Sequence, residues 1–234
     1  MYIDAHGHRG YSPCALADDA KTLLVRVFER DRALADAVAA FVAADRADWL
    51  RALADAVQAD RDAESEEVER RLVRLAAIVS DLDGHEAADV ALALLDAKAP
   101  IARAAAGEAL LDLAVDGGDA VLDAAGAASL RTDRPRASRE LPYLLAEIGH
   151  RRSSEVTARL LGHEDPSVVA AAIEALVLLG DASVAPALRK LTKDARVATV
   201  ADEDDAEVTV PIAALAEDAL AEIERPVGPP GRRR

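Results

Sequence analysis

Two dipeptides, His85-Glu86 and His163-Glu164, set an imidazole beside a carboxylate, the sharpest candidate metal-ligand pairs in the chain. His6-Gly7-His8 near the N-terminus can grip a metal weakly, and Asp202, Glu203, Asp204, Asp205 and Glu207 bring five carboxylates into six positions. Each pattern also has a plainer reading. Polar residues at helix starts satisfy orphan backbone N–H groups, and the two His-Glu pairs are not equivalent: one precedes a helix, the other lies in a turn between two helices. Both pairs are therefore read as caps and turn residues. The acidic run lacks the alternating ligands and central glycine of a calcium loop, so it is read as a solvated turn. Cys14 is the only cysteine, which excludes an internal disulfide framework and a thiolate-built zinc site. No Ser, His and Asp spacing marks a triad, and Gly117-Gly118 is a helix break rather than a phosphate loop. The expectation is no catalytic residue, no metal and no cofactor.

The elements that would position any site are helices. Hydrophobic residues make up 51% of the 234 residues but aromatics only 3%, so the core must be built from Ala, Leu and Val. Such side chains suit close helix packing, and Ala and Leu rank highest in helix propensity. The net charge of −15 repels phosphate backbones and anionic lipid, which argues against nucleic acid and membrane surfaces and favours a protein partner with a basic surface. The N-terminus lacks a secretory pattern, and the longest apolar run, Val168 to Leu179, is too short to span a bilayer, so a cytoplasmic chain is expected.

Residues 1–14 read as a flexible N-terminal arm and 15–83 as divergent helical repeats. In ALADDAKTLLVRVFER the apolar residues Leu16, Ala20, Leu23, Leu24 and Val27 recur at spacings of three and four. Two short helices, DRALADAVAAF and DWLRALADAVQAD, follow, sharing Arg-Ala-Leu-Ala-Asp-Ala-Val at 32–38 and 51–57. Trp49 is expected to pack among Leu50, Leu53 and Val57. A stronger seam runs through Val68, Leu72, Leu75, Val79 and Leu82, with Gly84 placed to end that helix.

From 84 to 224 the chain repeats. VALALLDAKAPIARAAAGEALLDLAV, from Val90, aligns with VTARLLGHEDPSVVAAAIEALVLLGD, from Val156, placing Pro100 on Pro166, Glu108 on Glu174 and Leu113 on Leu179. PRASRELPYLLAEIG puts Pro135 at the same point. The spacing of roughly thirty residues is that of helical repeats. Within one unit, a first helix ends at Leu160-Leu161-Gly162, Asp165 caps the next, Pro166 occupies its first position and Gly180 closes it. A fourth unit is interrupted by VATVADEDDAEVTV, read as a short β-hairpin or projecting loop near 196–210. The tail 225–234 is too rich in Pro, Gly and charge to fold.

An Asp-Pro turn, an Ala-rich helix ending Ala-Leu-x-x-Leu-Gly and a following Ala-Pro-Ala-Leu resemble the HEAT repeats, in particular the short bacterial units of phycobilin-lyase type. Asp165, Pro166, Ala172, Leu176, Gly180 and Leu188 carry the likeness, while Val169 stands where the repeat usually has Arg. The resemblance implies an all-α, armadillo-like fold: a right-handed α-solenoid of stacked antiparallel helix pairs. HEAADVALALL is also similar to the iron-binding motif of deoxyhypusine hydroxylase, a HEAT-repeat enzyme, but that family needs four His-Glu pairs and this chain has two.

What the resemblance and the stacking physics imply together is a non-enzymatic scaffold or adaptor, with Arg103, Glu108, Arg139, Tyr143, Val169 and Glu174 presenting the partner surface. On this view, reversing Arg103 and Arg139 should leave stability nearly unchanged. A bilin-lyase-like subunit or assembly factor, or an acidic immunity protein against a basic toxin, are the alternatives.

Overall fold

The computed structural model describes residues 2–3, 9–10, 13–42, 46–201 and 207–225. His6, His8, Asp202, Glu203, Asp204, Asp205 and the tail from 226 lie outside them. The chain divides into two compact units, Met1–Trp49 and Leu50–Arg234.

In the first unit β1 (Tyr2–Ile3) pairs antiparallel with β2 (Arg9–Gly10), and α1 runs from Pro13 to Val42. The helices read separately as ALADDAKTLLVRVFER and DRALADAVAAF are thus one. No Gly or Pro lies between Phe28 and Ala33, so nothing interrupts the backbone ladder. The start of α2 (Arg46–Asp60) carries Trp49, 3% exposed, with the Arg46 guanidinium 5.9 Å from its ring centroid.

The second unit continues α2 and is a solenoid of helix pairs: α3 (Glu66–Ser80), α4 (Gly84–Leu94), α5 (Pro100–Ala128), α6 (Pro135–Ile148), α7 (Ser153–Leu160), α8 (Pro166–Leu179), α9 (Ala185–Leu191) and α10 (Ile212–Ile223). The second helix of each pair touches its counterpart in the next, so α3, the first half of α5, α6, α8 and α10 form one row. Behind it stand α4, the second half of α5, α7 and α9. The break expected at Gly117-Gly118 is a kink: Gly117 leaves helical geometry at φ −128° and ψ 35°, yet α5 continues beyond it.

Local chemistry sets the helix bounds. Ser65 caps α3 by accepting the Val68 N–H, and Asp165 caps α8 by accepting that of Ser167, with Pro166 at the first helical position. Gly180 ends α8 at φ +64°, in the left-handed region that glycine enters at little cost. Gly84 does not end α3 as its position suggested. That helix stops at Ser80 with Asp81 as its C-cap, and Gly84, at φ +82°, turns the chain into α4. Up to its last turn helix α8 is buried on nearly every side, with Val168 to Ile173, Ala175 and Leu176 inaccessible or nearly so, while Leu178 in the last turn is exposed. Such burial is what a helix apolar on every side requires.

The insertion is a β-hairpin. Strand β3 (Val197–Ala201) pairs antiparallel with β4 (Glu207–Pro211), from Val197 opposite Pro211 to Ala201 opposite Glu207. Ala198 is fully buried and β3 lies on α8, with the Ser167 hydroxyl donating to the Thr199 carbonyl at 3.3 Å. No helix among the described residues is long and apolar enough to cross a membrane.

Candidate interaction groove

The paired histidines and carboxylates occupy turns and helix starts. His85 Nε2 lies 3.4 Å from the Asp89 carboxylate one turn along α4, both half exposed. His163 Nδ1 accepts the Asp165 N–H at 3.0 Å, closing the turn before α8. The carbonyls of His163 and Glu164 accept from Arg196 Nη1 at 2.7 and 3.3 Å. Arg196 is held in turn by the Asp194 carboxylate, so this turn fastens the base of the hairpin to the stack. No group of three metal-binding side chains occurs among the described residues.

Of the six residues expected to present a partner surface, three are committed within the stack. Val169 is fully buried in α8 and belongs to the core, which corrects its placement on the surface. Its β-branched side chain fills space between helices where the repeat pattern has Arg. Arg103 spends its donors inside the chain: Nε bonds Glu140 of α6 at 2.5 Å, and Nη1 bonds the carbonyls of Ala97 and Lys98 at 3.1 and 2.9 Å. Arg139 reaches from α6 to the Asp165 cap of α8, Nε at 3.1 Å and Nη2 at 2.8 Å. Burial works to raise the Asp165 carboxyl, but the Arg139 guanidinium and the Ser167 N–H outweigh it and hold the group below its ordinary range.

The expectation of unchanged stability on reversing these arginines therefore changes. Arg139→Glu would set a carboxylate against Asp165, and with Arg139 56% and Asp165 24% exposed it is expected to cost about 1 kcal/mol. A lowered thermal midpoint would check it. Glu108 is exposed on α5.

Tyr143 and Glu174 are brought together. The Tyr143 hydroxyl donates to the Glu174 carboxylate at 2.5 Å, joining α6 to α8. Burial and the adjoining carboxylate raise the phenol above its ordinary range, so it remains a donor at neutral pH. The pair forms one wall of a groove of about 450 Å³ that runs over α8 to α10. Ile173, Val177 and Leu178 of α8 and Leu215 and Ala219 of α10 supply its apolar surface. Leu178 is 72% exposed. Asp218 and Glu222 of α10 complete an acidic rim opposite Glu174. Glu222 is shared with Arg225, whereas Asp218 has no ionic partner among the described residues.

The α10 residues escaped the sequence reading because the hairpin separates this helix from its own repeat. A signal was present all the same: Leu215, Asp218, Ala219 and Glu222 follow at spacings of three and four and therefore share one face.

Residues 122–203, from the second half of α5 into the hairpin, match the sequence model of the HEAT repeats. The match supports the repeat family and does not reach the narrower phycobilin-lyase type. No curated protein matches the chain.

Proposed function

Taking residues 122–203 as HEAT repeats, a module that generally serves as a protein-interaction scaffold, we propose that this chain is a non-enzymatic adaptor whose groove over α6, α8 and α10 receives a segment of a partner protein. The segment would offer one large apolar side chain to the groove floor and a Lys or Arg to the rim. The observation that carries this reading is a leucine, Leu178, left 72% exposed between the carboxylates of Glu174 and Asp218. An apolar anchor in a desolvated pocket supplies most of the affinity of a small interface, with the surrounding polar rim adding orientation. A chain with net charge −15 would also draw a basic partner in faster, an effect that weakens with salt.

The test is photo-cross-linking in the native host from position 178, compared with position 115. Val115 is 80% exposed on α5 and outside the groove, so it controls for generic stickiness. A partner caught from 178 and not from 115, and bound at least about tenfold more weakly by Leu178→Asp, is the expected result. A partner retained equally by Leu178→Asp and Asp218→Arg would sink the proposal.

A further inference from the structure

The chain leaves its last helix beside the acidic rim of the groove. Helix α10 stops at Ile223, and Arg225 turns back on the final turn, bonding the two carboxylate oxygens of Glu222 from Nη1 at 3.2 Å and Nη2 at 2.8 Å. Glu222 lines the groove, so residue 226 starts at its edge, within the same compact unit. Pro226 lacks the N–H that would extend the helix. Residues 226–234, PVGPPGRRR, hold no acidic side chain and include the longest run of basic residues in a chain of net charge −15, Arg232 to Arg234. They have the composition that the groove calls for in a ligand: a branched apolar side chain, Val227, for the floor and cations for the rim of Glu174, Asp218 and Glu222.

We propose that residues 226–234 dock in this groove of their own chain, Val227 on the apolar floor and the arginines on the rim, so that a partner segment must displace them. The proposal rests on the groove being the partner site. Reach is ample: the groove residues of α10, Leu215 to Glu222, span about 10 Å of helix axis, and nine extended residues cover about 30 Å. Pro226, Pro229 and Pro230 favour an extended backbone in advance, which lowers the entropy lost on docking. A short tether supplies an effective concentration in the millimolar range, so a contact with an intrinsic Kd of about 1 mM fills the groove about half of the time. The tail then weakens partner binding by a small factor without blocking it, because a partner meets only the open fraction.

A photo-reactive residue at position 178 of the purified full-length chain tests this. It should link to residues 226–234, whereas the same group at position 115 should not. Reversing Arg232, Arg233 and Arg234 to Glu together should cut the yield at least about fivefold. Adding Asp218→Arg to those three reversals should recover part of it, which separates charge pairing from a change in folding. Raising the ionic strength from about 0.1 to about 1 M, which shortens the Debye length from about 10 to about 3 Å, should also lower the yield. No link to 226–234 overturns the proposal, and so does a yield indifferent to both charge and salt. A link found only between isotopically heavy and light copies overturns it too, since the occupant would then be the tail of a second chain. The two readings fail separately: a probe at 178 that catches a partner in the host but never the tail refutes the tail contact alone, whereas a tail link with no partner captured refutes the adaptor and leaves the tail contact standing.

Discussion

Replacing Asp96 by alanine is expected to lower the unfolding free energy by about 3 kcal/mol, a loss large for a single side chain. Asp96 lies in the turn between α4 and α5 and is 2% exposed. One carboxylate oxygen accepts the N–H groups of Arg136 and Ala137 at 2.9 and 3.3 Å, the orphan donors of the first turn of α6. The other lies 3.5 Å from Arg61 Nη1. Helix α6 cannot cap itself, because the residue before Pro135 is Arg134, which has no side-chain acceptor. The cap comes instead from the preceding helix pair, and Arg136 returns a bond to the Asp96 carbonyl at 3.1 Å. Alanine would leave the buried Ala137 N–H, the part-buried Arg136 N–H and the largely buried Arg61 guanidinium without the carboxylate that faces them. Asn keeps one acceptor oxygen and should recover about half of the loss. Because stacked pairs are coupled only to their neighbours, the urea transition of Asp96→Ala should also broaden. A shift below about 0.5 kcal/mol would mean that water caps α6 in place of Asp96.

Two leucines two residues apart on α8 should behave oppositely. Leu176 is fully buried, so Leu176→Ala is expected to cost about 3 kcal/mol through lost transfer energy and the cavity it leaves. Leu178, 72% exposed, should change stability by no more than about 0.5 kcal/mol on truncation. In partner binding the order reverses: Leu178→Ala should weaken capture, and Leu176→Ala should act only through folding. Equilibrium unfolding and binding measured on the same two proteins would check both halves. Equal destabilisation by the two would show that the groove floor is part of the core.

Helix α8 was legible because every signal that delimits it is local. Asp165, Pro166 and Gly180 act on backbone within a few residues, and its apolar surface from Val168 to Leu176 is buried as that composition demands, whereas the exposure of Leu178 is not a local property. The hairpin was legible as an alternative because Val-Ala-Thr-Val and Glu-Val-Thr-Val alternate around an acidic turn. Gly84 misled because glycine serves equally at a helix end and at the start of the next turn, and only the backbone angle separates the two.

The site was less legible. Tyr143 and Glu174 were named as partner-facing residues, and the structure hydrogen-bonds them to each other at the groove wall. Their neighbours on α10 lie beyond an insertion whose length repeat alignment does not anticipate. Arg103 and Arg139 read as surface arginines because a charged residue on a helix is usually solvated. Whether such a group meets water or a carboxylate of the adjoining pair depends on the stacking offset, which no local pattern encodes.

By itself the sequence determined the helical repeat, its period, the caps and glycines that divide it, and the apolar content that forces the pairs to stack. These follow from backbone chemistry and from periodicities read within one helix. Tertiary structure decided that Asp96 caps a helix forty residues away, that Val169 is core, that the two arginines brace the stack and that Leu178 is left open beside α10. Each of these depends on which side chains meet across helices distant in the chain, and that is set by how closely small residues let the pairs approach and at what offset they pack.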